Sequence, residues 1–249
     1  KIPVVLQEQN SFPGITNKLL AKKVQKICVA YDGMERFFPA EKLIKTGNPV
    51  RKDLLNITAK KEQAYKHFGL DPAKKTLLAT GGSLGARTIN KSIYAHIRKV
   101  LDNDFQILWQ CGKFYYNEYL PLVEKLEPHN IKLLEFIKNM DLAYAAADVI
   151  IARAGALTIS ELCIIGKPCV LVPSPNVAED HQTKNAMALV ENNAAAMIKD
   201  QEAENRLIDE ALALLKNPEK MKQQSENLKK MAQPEASENI VKEILNLTA

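Results

Sequence analysis

The chain has 249 residues, of which 46% are hydrophobic, enough for one large core or two modest ones. Charged residues make up 25% and the net charge is +5, a mild basic excess that suits an anionic ligand or an acidic membrane surface and is too small and dispersed to indicate nucleic acid. Its lysine pairs, such as Lys60-Lys61 and Lys229-Lys230, fall on predicted helices and read as solvated faces.

The four cysteines, Cys28, Cys111, Cys163 and Cys169, form no C-x-x-C pair and have no histidine at ligand spacing. Each sits in or beside an apolar run, so buried free thiols in a reducing compartment are expected, with no metal site. No run of about 18 apolar residues is present to span a membrane. The first residues, Lys-Ile-Pro-Val-Val-Leu, read as a strand already under way, without an initiator Met or a signal peptide. The expectation is a chain cut from something longer.

In chain order the pattern predicts a strand over 3–7, a polar turn, a helix over 14–23, and strands over 26–30 and 43–46. Gly47-Asn48-Pro49 is a loop signal and the expected domain junction. A helix over 58–68 ends at Gly69. Then come strand 75–80, a glycine turn, helix 86–100, strand 105–110, helix 115–125, strand 131–135 and helix 140–147. Strand 148–152, helix 157–165, strand 168–172, a Pro-rich loop over 173–179, helix 181–191 and strand 194–198 follow. Helices over 202–216, 218–231 and 236–246 close the chain. Short apolar strands alternating with helices indicate βαβ units and a parallel sheet covered on both faces. The expected fold is α/β and doubly wound, with a remnant of a second α/β domain at the N-terminus.

In such sheets ligands bind beyond the carboxyl ends of the strands, so residues just after strands carry the information. Gly81-Gly82-Ser83-Leu84-Gly85-Ala86-Arg87 lies between a strand and a helix. Its glycines bring backbone N–H groups close to a phosphate, and the helix start adds partial positive charge. The alternative is a plain strand–helix turn. Gly-Lys-Ser/Thr, which would mark a P-loop, is missing, as is G-x-G-x-x-G. An NAD site also wants an acidic residue about 20 residues later, at the end of the next strand. That strand ends in Gln110-Cys111-Gly112, which disfavours NAD.

Arg153 to Glu161 is a second strand-to-helix passage. Leu157 and Thr158 offer N–H groups at a helix start. Glu161, read as lying in the first turn, is either a ribose ligand or an acidic residue favoured by the helix dipole. In Asp180 to Ala186, Gln182 and Asn185 share a helix face, and their amides suit sugar hydroxyls. Asp180 fits a helix N-cap, and His181 reads as structural or surface rather than as a base. Ile137, after the strand at 131–135, offers a main chain that can hold a flat base.

Together these segments resemble the MurG family of bacterial UDP-N-acetylglucosamine transferases. Glu8-Gln9-Asn10 with Thr16-Asn17-Lys18, Gly47 to Arg51, Gly81 to Arg87, Arg153 to Glu161, and Asp180 to Ala186 are similar to five ordered motifs of that family. The resemblance covers essentially the whole chain. It implies a GT-B fold and transfer of GlcNAc from UDP-GlcNAc to the undecaprenyl-linked acceptor lipid I. It further implies inversion at the anomeric centre, no cofactor or obligatory metal, and a peripheral place on the cytoplasmic face of the cell membrane. By the same resemblance Ser83, with the N–H groups of Gly81, Gly82 and Gly85, holds the pyrophosphate, and Arg51 sits near the phosphates. Ile137 takes uracil through its main chain and Glu161 takes the ribose. Ala156, Leu157 and Thr158 take phosphate and sugar, Gln182 and Asn185 read GlcNAc, and Asn10 lines the acceptor side.

The family also begins with a glycine-rich loop bearing a histidine, which is not found here. His67, His96, His129 and His181 do not match it, so no catalytic base is assigned. The expected division is an acceptor-domain remnant over 1–48, a donor domain over 49–234, and a C-terminal helix over 235–249 that packs back and stays partly exposed. Two other readings are a related GT-B glycolipid glycosyltransferase and a non-catalytic nucleotide-sugar-binding module.

Overall fold

The computed structural model describes residues 2–126 and 130–247; His129 lies outside them. Two parallel sheets organise the chain. The first has the order β1-β2-β3, from β1 (Val5–Glu8), β2 (Lys26–Val29) and β3 (Leu43–Lys45), with α1 (Ile15–Leu20) between the first two. Ile27, Val29, Val24, Met34 and Phe38 fill its small core.

The second sheet has six strands: β4 (Lys75–Thr80), β5 (Phe105–Gln110), β6 (Ile131–Leu134), β7 (Val149–Ala152), β8 (Cys169–Leu171) and β9 (Ala196–Met197). Their spatial order is β6-β5-β4-β7-β8-β9, and every pairing is parallel. Counted from β4, this is the 3-2-1-4-5-6 order of the doubly wound dinucleotide fold. The direction of winding reverses between β4 and β7, so the loops leaving these neighbours diverge and open a crevice between them.

Residues alternate faces along each strand. Leu78, Leu108, Ile150, Cys169 and Leu171 face one core, which is closed by α2 (Lys61–Phe68), α6 (Met140–Ala146), α7 (Ala156–Ile165), α8 (His181–Val190) and α10 (Pro218–Lys230). Leu77, Ala79, Ile107, Trp109, Val149, Ile151 and Val170 face the other. That side is closed by α3 (Arg87–Ala95), α4 (Ile97–Leu101), α5 (Tyr116–Glu124) and α9 (Asp200–Leu215). Burial on both faces is the reason the strands carry uninterrupted apolar runs.

The predicted helix 86–100 is two helices. His96 has φ −113° and ψ 20°, outside the helical region, and separates α3 from α4. No Gly or Pro marks the break. The buried stripe Ile89, Ile93, Ile97, Val100 runs through it at helical spacing, so periodicity alone shows one helix. Helix α9 starts at Asp200, two residues earlier than the predicted start at 202.

All four cysteines are buried free thiols. Burial pushes Cys111 up to about 11 and Cys163 up to about 12, and raises Cys28 and Cys169, so each stays protonated at neutral pH. No helix of the described residues is long and apolar enough to cross a membrane.

The C-terminal helix α11 (Ala236–Asn246) buries Ala236 and leaves Val241 52% and Leu245 60% exposed. It is anchored at the junction between the sheets, where Lys52 pairs with Glu238 at 2.6 Å. At the same junction Gly47 has φ +82°, and a Cβ there would lie 2.4 Å from Gln233 Cβ. Gly47→Ala therefore adds overpacking to backbone strain and should destabilise the chain by about 2 kcal/mol or more. Gly33→Ala, at φ +73° with open space around it, should cost only the strain, about 1 kcal/mol. Urea unfolding of the two variants checks the ranking.

Candidate functional site

The crevice beyond β4 and β7 is a cleft of ≈ 250 Å³. One wall is Thr80 to Ser83, the second is Arg153, Gly155, Thr158 and Glu161, and the third is Phe136, Ile137, Met140 and Tyr144; Gln182 enters from α8. Of the residues singled out in the sequence, Gly81, Gly82, Ser83, Ile137, Thr158, Glu161 and Gln182 thus line one cavity.

The glycine turn is built by close packing behind it. Gly85 has φ +83°, and a Cβ there would lie 2.0 Å from the Cys111 carbonyl oxygen. Gly82, which lines the cleft, has φ +80° and open space where its Cβ would be. The turn closes on itself as Gly85 N–H donates to Gly82 O at 2.9 Å. Asn90 supports it from below: it donates to Cys111 O at 2.8 Å and accepts from Trp109 Nε1 at 2.9 Å.

Gln110 stands where a dinucleotide fold carries its acid. It is buried, and it donates from Nε2 to Gly82 O at 2.9 Å and to Glu135 O at 3.0 Å. Its Oε1 accepts from the Thr80 hydroxyl at 2.8 Å. One amide therefore ties the glycine turn to the loop at 135–139, a role that a glutamine at the end of a strand does not announce in the sequence.

Helices α3 and α7 both begin at this crevice, with Ala86 and Gly155 at their N-cap positions and no side-chain cap on either. The first N–H groups of each helix, including those of Ala156, Leu157 and Thr158, are thus left without intrahelical acceptors. Two positive helix ends converging on one cleft make a site for an anion. Below them Asp200 accepts from both Arg153 and the Thr88 hydroxyl, which joins β7 to α3; the sequence reading missed this as well.

Glu161 is the sixth residue of α7 and therefore lies in the second turn, a correction to the expected first turn. That removes the helix dipole as its reason for being acidic, since the effect fades beyond the first turn. Its Oε2 accepts from the Tyr144 hydroxyl at 2.8 Å, and Arg51 Nε stands 3.9 Å from Oε1. Burial is the largest influence on the carboxyl and raises it above the usual glutamate range, against the opposing pull of Tyr144 and Arg51. Ile137 lines the cleft and is 4% exposed, packed in the core beneath it.

Asn10 and Asn185 are elsewhere. Asn185 is 0% exposed. It accepts from Ser11 N and Ser11 Oγ at 3.0 and 3.1 Å, and donates to Asn10 Oδ1 at 3.1 Å and Ala154 O at 3.4 Å. The expected sugar role of Asn185 does not fit this arrangement, because its whole amide is spent on the seam between the two sheets. Asn48 does the same nearby, donating to Gln9 O and to Ser160 Oγ. Glu8 closes the adjoining loop by accepting from Asn10, Gly14 and Asn17.

Asp180 occupies the N-cap position of α8, as expected, but makes no cap bond to the backbone; its carboxylate accepts from the Thr183 hydroxyl at 2.7 Å. His181 is paired with Ala178 O at 2.8 Å in an exposed position. No group of three His, Cys, Asp or Glu that could hold a metal occurs among the described residues.

Residues 76–240 match the glycosyltransferase family 28 C-terminal domain. The chain is 53% identical over 246 residues to the UDP-N-acetylglucosamine–N-acetylmuramyl-(pentapeptide) pyrophosphoryl-undecaprenol N-acetylglucosamine transferase of Parabacteroides distasonis, covering 99% of this chain and 67% of that protein. It is 50% identical to the Flavobacterium psychrophilum protein of the same description, covering 99% and 66%. The crystal structure of Acinetobacter baumannii MurG superposes with a TM-score of 0.78 at 30% identity, covering 98% of this chain and 67% of that one. UDP-GlcNAc 2-epimerase from Neisseria meningitidis, bound to UDP-GlcNAc, shares the fold at 19% identity and a TM-score of 0.68, covering 98% and 70%. The chain spans about two thirds of the length of the curated relatives it matches.

The raised carboxyl of Glu161 has a cost in the free protein. The native state holds the proton more tightly than the unfolded state, so stability falls as the pH rises from the ordinary glutamate range to the native value, and the cost is complete above it. Glu161→Gln should therefore raise the thermal midpoint at neutral pH and have no effect below the ordinary glutamate range, where both states are protonated. Thermal melts across pH check this.

Proposed function

The chain belongs to the MurG family of glycosyltransferases, and we propose that it forms the donor-binding portion of an enzyme that moves GlcNAc from UDP-GlcNAc to the undecaprenyl-linked acceptor lipid I. The observation that carries this reading is the meeting of three walls at the reversal of strand order: a glycine turn, two uncapped helix starts and a half-buried carboxylate. The turn and the helix starts suit a diphosphate, the carboxylate suits a vicinal diol, and the loop at 135–139 suits a flat base. Gln110 in place of an acid speaks against NAD.

In this reading Ser83 and the N–H groups of its turn that are not spent within it hold the pyrophosphate, with Gly85 closing the turn behind them, joined by Ala156, Leu157 and Thr158 at the start of α7. Ile137 pairs its main chain with uracil, Glu161 accepts the ribose hydroxyls, and Gln182 reads the sugar. Arg51, beside Glu161, brings positive charge to the mouth of the cleft. The acceptor hydroxyl attacks the anomeric carbon from the face opposite UDP, which inverts the centre. As UDP leaves, negative charge grows on its β-phosphate, and fixed N–H donors at two helix starts stabilise it without reorganising. Asn10 belongs to the acceptor side, and the protein works peripherally on the cytoplasmic face of the membrane. No catalytic base is assigned: among the described residues no histidine lines the cleft.

Calorimetry tests the reading. UDP-GlcNAc should bind and NADH should not. Glu161→Ala should weaken UDP-GlcNAc by about 1.5–3 kcal/mol, the range for a hydrogen bond to a charged group. Tighter binding of NADH than of UDP-GlcNAc, or unchanged affinity in the variant, would overturn it.

A further inference from the structure

The carboxylate of Glu161 is only as selective as its orientation. A glutamate has several rotatable bonds and, in a half-open cleft, many ways to point. Here one group restrains it from inside the protein. Tyr144, on α6, is buried, and its hydroxyl donates to Glu161 Oε2 at 2.8 Å. Burial lifts this phenol well above its ordinary value, so it stays neutral and keeps its proton to donate. A water in its place could donate or accept, and would leave with the side chain.

Helix α6 follows directly from the loop that carries Phe136 and Ile137. The Tyr144–Glu161 bond therefore joins the base wall of the cleft to the carboxylate on α7. With one lone pair of Oε2 occupied by Tyr144, the other lone pair of Oε2 and those of Oε1, which has Arg51 Nε no nearer than 3.9 Å, are left to accept two neighbouring hydroxyls at once.

We propose that Tyr144 is the positioning residue for Glu161 and that, through it, the site prefers ribonucleoside over deoxyribonucleoside diphosphates. This rests on the donor-site reading given above. The titratable and charged groups facing Glu161 are Tyr144 from α6 and Arg51 and Asp53 from the segment after the junction. Tyr144→Phe removes a donor that favours the carboxylate anion and leaves the burial that opposes it. The pH below which nucleotide binding fails should therefore move upward in the variant.

The test titrates the full 249-residue chain with UDP and with 2′-deoxy-UDP, from about pH 8 to about pH 5, spanning the region above the ordinary glutamate value. Wild type, Tyr144→Phe, Glu161→Gln and the double variant are compared. Wild type should favour UDP by roughly tenfold, the worth of a hydrogen bond to a charged group. Tyr144→Phe should lose most of that preference and show the upward shift in pH, whereas in the Glu161→Gln background it should change neither. A Tyr144→Phe protein that keeps both the preference and the pH profile overturns the proposal. So does equal loss of both nucleotides in both backgrounds, which marks a packing role. If wild type binds both nucleotides equally, the ribose reading fails first and the proposal falls with it. Should Tyr144→Phe fail to fold, recovery of the fold in the double variant supports the pairing, and failure there too overturns it.

Discussion

A parallel sheet buried on both faces has only one edge of loops at which its strands can present functional groups, and the placement of the cleft follows from that constraint. Every strand of the six-stranded sheet ends on the same side. Winding outward from β4 and then back from β7 leaves these two neighbours with connections that part in opposite directions. The gap between them would exist with almost any side chains. What the sequence adds is two glycine-containing turns, two helices that start there without caps, and a carboxylate one turn further in.

Those additions depend on buried and half-buried polar groups. Gln110 spends both amide hydrogens on carbonyls of different loops, and Asn90 braces the strand end that Gly85 touches. A buried amide left half-paired costs more than it gains when satisfied. Full pairing therefore fixes the separation of the phosphate wall and the base wall far more sharply than apolar packing does. The wall that carries Glu161 is fixed in the same manner by Tyr144 and, at the preceding residue of α7, by Asn48 through Ser160. The cleft is thus shaped largely by hydrogen bonds between elements that are distant in sequence.

This distinction explains what could be read from the chain alone. Every strand and helix of the donor-side sheet is visible as apolar periodicity, because the alternation is dictated by the cores it fills. The glycine turn stands out because glycine is needed there for local reasons, and Glu161 because it is an acid just past a strand end. The break at His96 is silent, since the apolar stripe continues across it. Gln110, Tyr144 and Asp200 are silent for a different reason. Each is an ordinary residue in an ordinary strand or helix, and its significance lies in a partner some 17 to 112 residues away. Asn185 shows the converse: its amide chemistry was legible, but its orientation was decided by Ser11 across the seam.

That seam has a mechanical character of its own. Where Asn185 meets Asn10 and Ser11, and Asn48 meets Gln9 and Ser160, the two sheets are joined by neutral amides and hydroxyls. Such bonds are directional, yet each is worth only about 1 kcal/mol net, because water takes over the same partners when they part. A joint made this way sets the register of the two sheets by direction, and it is reinforced by Tyr31, which packs against both cores, and by the Lys184 ammonium over the Phe12 ring. Its precision comes from the amides and hydroxyls, and its strength is shared with the ring contacts beside them.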